Sequence, residues 1–373
     1  MTSIRSAGLH RAARIPAAGK LRESSVLRRR TLCACLMQAG QFSGLIGAGC
    51  VASLPILLAA GLLGCHDVQA QTRVPVNALP SMPTAPNKNG GVPNSYGVNG
   101  NTLTITQTAP TSIVNWKSFD IGSQAKVTIA QPGSTSVLLN NVSGGAYLNQ
   151  TTIDGMLNAN GRVYIYNPNG IIFGKTGVVN VNTLVASTLK FDETRVIGGF
   201  LQPGSLPLLS AEVGVTPGGV LVDGDGTSGA RLTAANGGLI LLAGPSVMNN
   251  GVLSAPDGQV MLAAGSKVYL AAPQVSQTGT SLRGLLVEVS NDSAVVAGAT
   301  PVVGTSLAEN GKSGMIDVGH GNATMIGYAV NQKGIVSAST SVNLNGSIYL
   351  SARDQAIRPD ANNPYSASRS GNL

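Results

Sequence analysis

Asp223-Gly224-Asp225-Gly226 is the one acidic pair in this chain with the spacing of a metal loop. Two carboxylates so placed could share a divalent cation. A calcium loop also needs a third acid and a distant Glu, and neither is present, so an exposed turn is expected instead. Nucleophilic chemistry has less to work with. All four cysteines (Cys33, Cys35, Cys50, Cys65) and two of the three histidines (His10, His66) lie within residues 1–70. That leaves His320, in Gly319-His320-Gly321, which reads as a loop residue. A thiol nucleophile, a Cys/His zinc site and a triad with a second histidine are therefore starved. A β-helical polysaccharide lyase or hydrolase would need convergent carboxylates with a basic partner. The acids beyond residue 70 are scattered, mostly at turns. No catalytic residue, metal or cofactor is expected. The feature that would favour an enzyme is a third acid or a base meeting Asp223 and Asp225 in a groove.

The net charge of +8 is unevenly placed. Residues 1–70 carry eight of the 24 Lys and Arg and two of the 16 acids, leaving sixteen basic and fourteen acidic groups beyond them. With no basic stripe in that remainder, nucleic-acid binding lacks its electrostatic footprint. Residues 1–70 read as an extended signal peptide: a basic region ending at Arg28-Arg29-Arg30, an apolar stretch strongest from Val51 to Leu63, and cleavage between Ala70 and Gln71. Two alternatives stay open. Leu62-Leu63-Gly64-Cys65 approximates a lipobox, and Leu45 to Leu63 approaches the length of a membrane anchor.

Beyond the leader, residues 71–95 are rich in Pro, Asn, Gly and Ser and read as an extended lead-in. From Tyr96 to Ala352 the pattern is short apolar alternations, such as Leu103-Thr104-Ile105-Thr106 and Val163-Tyr164-Ile165-Tyr166, bounded by Gly and Asn. Such runs are strands. With 48 glycines and only 4% aromatics, the composition disfavours a helical bundle. Eight Asn-Gly pairs, beginning at Asn89, Asn99, Asn160, Asn169, Asn236, Asn250, Asn310 and Asn345, suit hairpins or solenoid corners. The start Gly238-Leu-Ile-Leu-Leu-Ala repeats at Gly258-Gln-Val-Met-Leu-Ala, 20 residues on. It recurs at Gly161-Arg-Val-Tyr-Ile and Gly346-Ser-Ile-Tyr-Leu. A period of this size is one coil of a parallel β-helix, with room for roughly 13 coils and a rod of about 60 Å. Lys190 to Arg195, the densest charge cluster, reads as a solvated excursion. Residues 353–373 read as a polar, poorly ordered tail.

Three segments say more than architecture. They are Asn115-Trp116-Lys117-Ser118-Phe119-Asp120-Ile121-Gly122, Leu138-Leu139-Asn140-Asn141-Val142-Ser143-Gly144-Gly145, and the run from Asn158 through Asn167-Pro168-Asn169-Gly170 to Gly174. Taken alone, Asn167-Pro168-Asn169-Gly170 fits a type I turn, with Asn bonding its downstream backbone and Pro presetting φ. Trp116, the single tryptophan, reads as an anchor closing one end of the solenoid. In this order the segments closely resemble the secretion (TPS) domain of the filamentous haemagglutinin family, strongly over Gly97 to Leu189. Asn141 stands where that family often carries Arg.

The resemblance implies an all-β, right-handed parallel β-helix with an N-terminal capping region over residues 96–352, its secretion motifs at 115–189 and further coils at 190–352. It implies export across the outer membrane by a partner β-barrel transporter whose POTRA domains recognise Asn167, Pro168, Asn169 and Gly170, with Asn115, Trp116 and Phe119 as supporting positions. The product is expected to be a non-catalytic, secreted or surface-held adhesin-like module acting on a host-cell receptor or glycan. An N-terminal piece of a longer adhesin remains an alternative. A self-sufficient autotransporter would need a C-terminal barrel of amphipathic strands, and the polar residues after Ala352 do not supply one.

Overall fold

The computed structural model describes residues 74–81, 94–142, 149–199, 207–271, 285–290, 306–338 and 347–352. The expected signal peptide with its Ala70–Gln71 cleavage point, and the polar tail, lie outside them. Period-2 apolar runs too short for a helix fold into strands that pair in parallel with the next turn of chain. Three ladders result.

The first ladder begins with Thr102–Thr106, Lys126–Ala130 and Met156–Ala159 and ends with Val252–Ser254, Met315–Asp317 and Ile335–Ser337. The second runs through Thr111–Asn115, Val137–Asn141, Arg162–Tyr166, Gln259–Ala264, Asn322–Gly327 and Ser347–Ala352. Two long strands, Val178–Ser187 and Arg231–Gly244, turn the corner and serve both. The third ladder stacks Thr151–Ile153, Ile171–Phe173, Val220–Val222, Ser246–Asn249, Leu307–Asn310 and Ala329–Gln332. This is a parallel β-helix. Inside it, Leu103, Val127, Leu157, Val179, Leu232, Leu253 and Ile316 stack rung upon rung, all fully buried.

The twenty-residue period is real: Leu239 pairs with Gln259 and Ile240 with Val260. Gly161, Gly258 and Gly321 each immediately precede a strand of the second ladder, and Gly238 immediately precedes the second-ladder part of Arg231–Gly244. The coil count is lower than expected. The first two ladders are eight strands deep among the described residues, not thirteen, about 34 Å at the inter-strand spacing. Two long stretches of chain account for the difference: no described residue between Ser187 and Val220 or between Ala264 and Leu307 belongs to a strand of the three ladders.

The Lys190–Arg195 cluster is not simply solvated. Lys190–Phe191 and Leu209–Ser210 from the first excursion join Lys267–Ala271 and Leu286–Ser290 from the second in one antiparallel sheet. A short helix, Glu193–Gly199, accompanies it. Phe191, Val196, Leu208, Val268 and Val289 pack over the outward residues of the second ladder, among them Leu139, Tyr164, Val185, Leu241 and Met261. Phe191 stacks on Tyr164 at 5.8 Å between ring centroids. The charges stay at the surface while the apolar residues between them close a second core.

The N-terminal end is capped. Ser95–Asn99 folds back antiparallel on Thr102–Thr106 through Asn99-Gly100, with Gly100 at a φ of 55°. Of the described Asn-Gly pairs only this one makes a hairpin; the others lie at corners or bends of the coils. Within the expected lead-in, residues 74–81 are built into the cap. Gly122 N–H donates to the Ala78 carbonyl at 2.9 Å and Gln124 N–H to that of Val76 at 2.6 Å. At another corner Asn249 and Asn310, both fully buried, stack with an amide hydrogen bond of 2.8 Å.

Candidate functional site

The three motif segments occupy the same corner of successive coils. Asn115 is in register with Asn141, and Asn141 with Tyr166. The next residues stack as a column: Trp116 N–H donates to the Asn141 carbonyl and Val142 N–H to that of Tyr166, each at 2.8 Å. Asn167 N–H continues the column to the Ser187 carbonyl at 3.2 Å. Side chains tie the rungs together. Trp116 Nε1 donates to Asn140 Oδ1 at 3.1 Å, and Asn140 Nδ2 donates to the Tyr164 carbonyl at 3.2 Å. Asn141 Nδ2 reaches Asn115 Oδ1 at 2.9 Å.

Trp116 also sits edge-on to Tyr96 of the cap and to Phe119, at 5.9 and 5.3 Å between centroids. Both Trp116 and Phe119 are buried. Asp120 accepts from Thr152 N–H at 2.9 Å, while burial pushes its carboxyl above the ordinary value. These contacts make the corner a structural anchor between the cap and the first coils.

Asn167-Pro168-Asn169-Gly170 is a hydrogen-bonded turn, with Gly170 N–H donating to the Asn167 carbonyl at 3.2 Å. The Asn167 side chain is completely buried. Its Oδ1 accepts from Asn169 N–H at 3.0 Å, and its Nδ2 donates to the Asn149 carbonyl and to Thr151 Oγ1 at 3.1 and 3.0 Å. Gly170 has a φ of 127°, and a Cβ there would press on Gln150. The first excursion returns over the turn: Gly218 N–H donates to the Pro168 carbonyl at 2.7 Å. Pro168 and Asn169 remain half-buried. Once the protein has folded, Asn167 offers nothing to a partner.

One member of the acidic pair, Asp225, meets a base. Asp225 Oδ2 lies 2.9 Å from Lys175 Nζ, and its Oδ1 accepts from Thr227 and Ser228 N–H at 2.9 Å each. The Ser228 N–H, Lys175 and the Thr227 N–H hold the Asp225 carboxyl far below the carboxylate range, and Asp225 holds the Lys175 ammonium above its own. Both groups are fixed in their charged forms near neutrality, so neither is poised for proton transfer. Because the Asp225 pKa is depressed on folding, this turn gains stability above the ordinary carboxylate range and loses it only as pH falls through the depressed value. Amide exchange at Thr227 and Ser228 is expected to stay slow at pH 4 and to quicken at pH 4 in Asp225→Ala. His320 Nδ1 lies 2.8 Å from Asp257 Oδ1 at an exposed corner. Among the described residues no three His, Cys, Asp or Glu gather as metal ligands. Sequence reasoning missed Asn140 as the partner of Trp116 and Lys175 as the partner of Asp225, since both contacts cross coils.

A capped parallel β-helix whose first coils are clamped at one motif-bearing corner defines a class of exported protein. The family model of the TPS secretion domain matches residues 82–364, and the chain belongs to that family. It is 34% identical over 167 residues to a heme/hemopexin-binding protein of Haemophilus influenzae, covering 44% of this chain and 17% of the relative. A second heme/hemopexin-binding protein of that organism is 43% identical over 86 residues, or 23% of this chain and 9% of the relative. The chain thus spans less than a fifth of the length of these curated relatives. The crystal structure of the HMW1 secretion domain from Haemophilus influenzae shares the fold, with a TM-score of 0.55 at 24% identity over 70% of this chain and 61% of that one. Family membership makes this a two-partner secreted exoprotein, carried across the outer membrane by a transporter partner.

Proposed function

We propose that the chain is a non-catalytic, adhesin-like interaction module whose motif-bearing corner is read by the transporter before it folds. The observation that supports this reading is the complete burial of Asn167 beneath its turn and the returning excursion. A side chain so enclosed can be recognised only on an extended chain. In this scheme residues 1–70 direct passage through the inner membrane and residues 96–352 form the exported β-helix. The segment around Asn167 docks to periplasmic POTRA domains by adding a strand to a sheet edge. Outside the cell each coil buries apolar surface on the one before it, which makes retreat unfavourable.

A base does meet Asp225 beside a groove, but the two are closed on each other as a 2.9 Å ion pair with no third acid among the described residues, which supports a non-catalytic role over a carbohydrate-active enzyme. The expected target is a host receptor or glycan.

The test is secretion of the full chain with and without its transporter, beside Asn167→Ala. That substitution leaves the Asn149 carbonyl and Asn169 N–H without their side-chain partners and is expected to cost about 2–3 kcal/mol and to reduce export several-fold. Retention in the periplasm whatever the transporter would sink the export reading. Cells or beads coated with the purified product test the binding role; absence of adherence to host cells would overturn it.

A further inference from the structure

We propose that a groove on the outer face of the solenoid is a binding site for an acidic oligosaccharide. It has a volume of about 370 Å³ and crosses four coils, from Lys175 through Thr227 and Ser228 to Asn250 and Ser313. One wall is the exposed side of the first ladder. There Val178, Arg231 and Val252 are cross-strand neighbours in one row, so a guanidinium stands between two valines.

Three features select the ligand. Lys175 gives its charge to Asp225, whereas Arg231 enters none of the ion pairs among the described residues and is exposed. A free guanidinium in a groove is a fork for a carboxylate or sulfate. The hydroxyl-bearing residues and backbone on the opposite wall suit a ligand rich in hydroxyls, and the two valines offer apolar surface to the C–H face of a sugar ring. A peptide that binds by adding a strand is disfavoured, because the wall strands offer no free edge. The wall strands Val178–Ser187, Arg231–Gly244 and Val252–Ser254 are each paired on both sides.

This inference rests on reading the chain as a binding module. Calorimetry on the purified, secreted protein at low salt would use hexagalacturonate as probe, with maltohexaose as the neutral control. Hexagalacturonate is expected to bind at least tenfold more tightly than maltohexaose and to weaken as salt is raised. Arg231→Ala is expected to lose at least tenfold in affinity with an unchanged melt. Val252→Glu, which sets a carboxylate beside Arg231 on the next strand, is expected to do the same. Failure to bind hexagalacturonate, equal affinity for maltohexaose, or undiminished binding by both variants would overturn the site. Tighter binding of a polyglutamate peptide would overturn the saccharide assignment. Adherence to host cells that survives Arg231→Ala would overturn this site while leaving the binding-module reading standing.

Discussion

Gly258→Ala is expected to cost about 3 kcal/mol, the upper part of the range for overpacking, and Gly258→Val to prevent folding. Gly258 immediately precedes the second-ladder strand of its coil, directly above Gly238 and below Gly321. A Cβ at Gly258 would collide with the Gly238 carbonyl oxygen, and one at Gly321 with the Gly258 carbonyl oxygen. All the atoms involved are backbone, so no rotamer change relieves the contact. Nor can the strands separate, because the ladder that starts one residue on, from Leu239–Gln259 to Gly244–Ala264, holds the two coils in register. Set against the 5–15 kcal/mol total stability typical of a domain, roughly 3 kcal/mol is a large share. Urea midpoints measured beside Gly97→Ala, a position with nothing within 4 Å of the added carbon, would check it. If the two alanine variants unfold together, the backbone-contact argument fails.

Trp116→Ala is expected to cost about 3–5 kcal/mol, the value for removing a large buried aromatic. The loss has two parts. The ring fills the space between Tyr96 of the cap and Phe119 of the first coil, and its Nε1–H is bonded to Asn140 Oδ1. Trp116→Phe separates them: most packing stays, while Asn140 Oδ1 loses its donor at a cost of about 1–3 kcal/mol. As the single tryptophan, Trp116 reports directly on this end of the molecule. Its emission should shift at the denaturant concentration where the cap leaves. Equal midpoints for wild type and Trp116→Ala would show that the ring does not anchor the cap.

The turn at Asn167-Pro168-Asn169-Gly170 was legible in the sequence because each of its preferences is local: Asn bonds two residues on, and Pro fixes its own φ. The repeat joining Gly238 to Gly258 was legible for a similar reason, since adjacent coils without an excursion keep a constant length. The coil count was not. From Gly258 to Gly321 the chain spends 63 residues on a single rung, and nothing in the composition of that stretch marks where the solenoid resumes.

The charge cluster at Lys190 to Arg195 misled for a related reason. Its charges are local, but the value of Phe191 and Val196 depends on Val268 and Val289 arriving from a second excursion. By itself, then, the sequence determined the β-helical class, the exported family and the turn that marks it, because residue-level preferences and a short period suffice for those. Only the tertiary structure decided that three separate motifs form one buried corner, that Asp225 meets Lys175, and that Arg231 stands between two valines. Those neighbours lie one coil apart in space but tens of residues apart in sequence, and between Lys175 and Asp225, and between Val178 and Arg231, an excursion that follows no period intervenes.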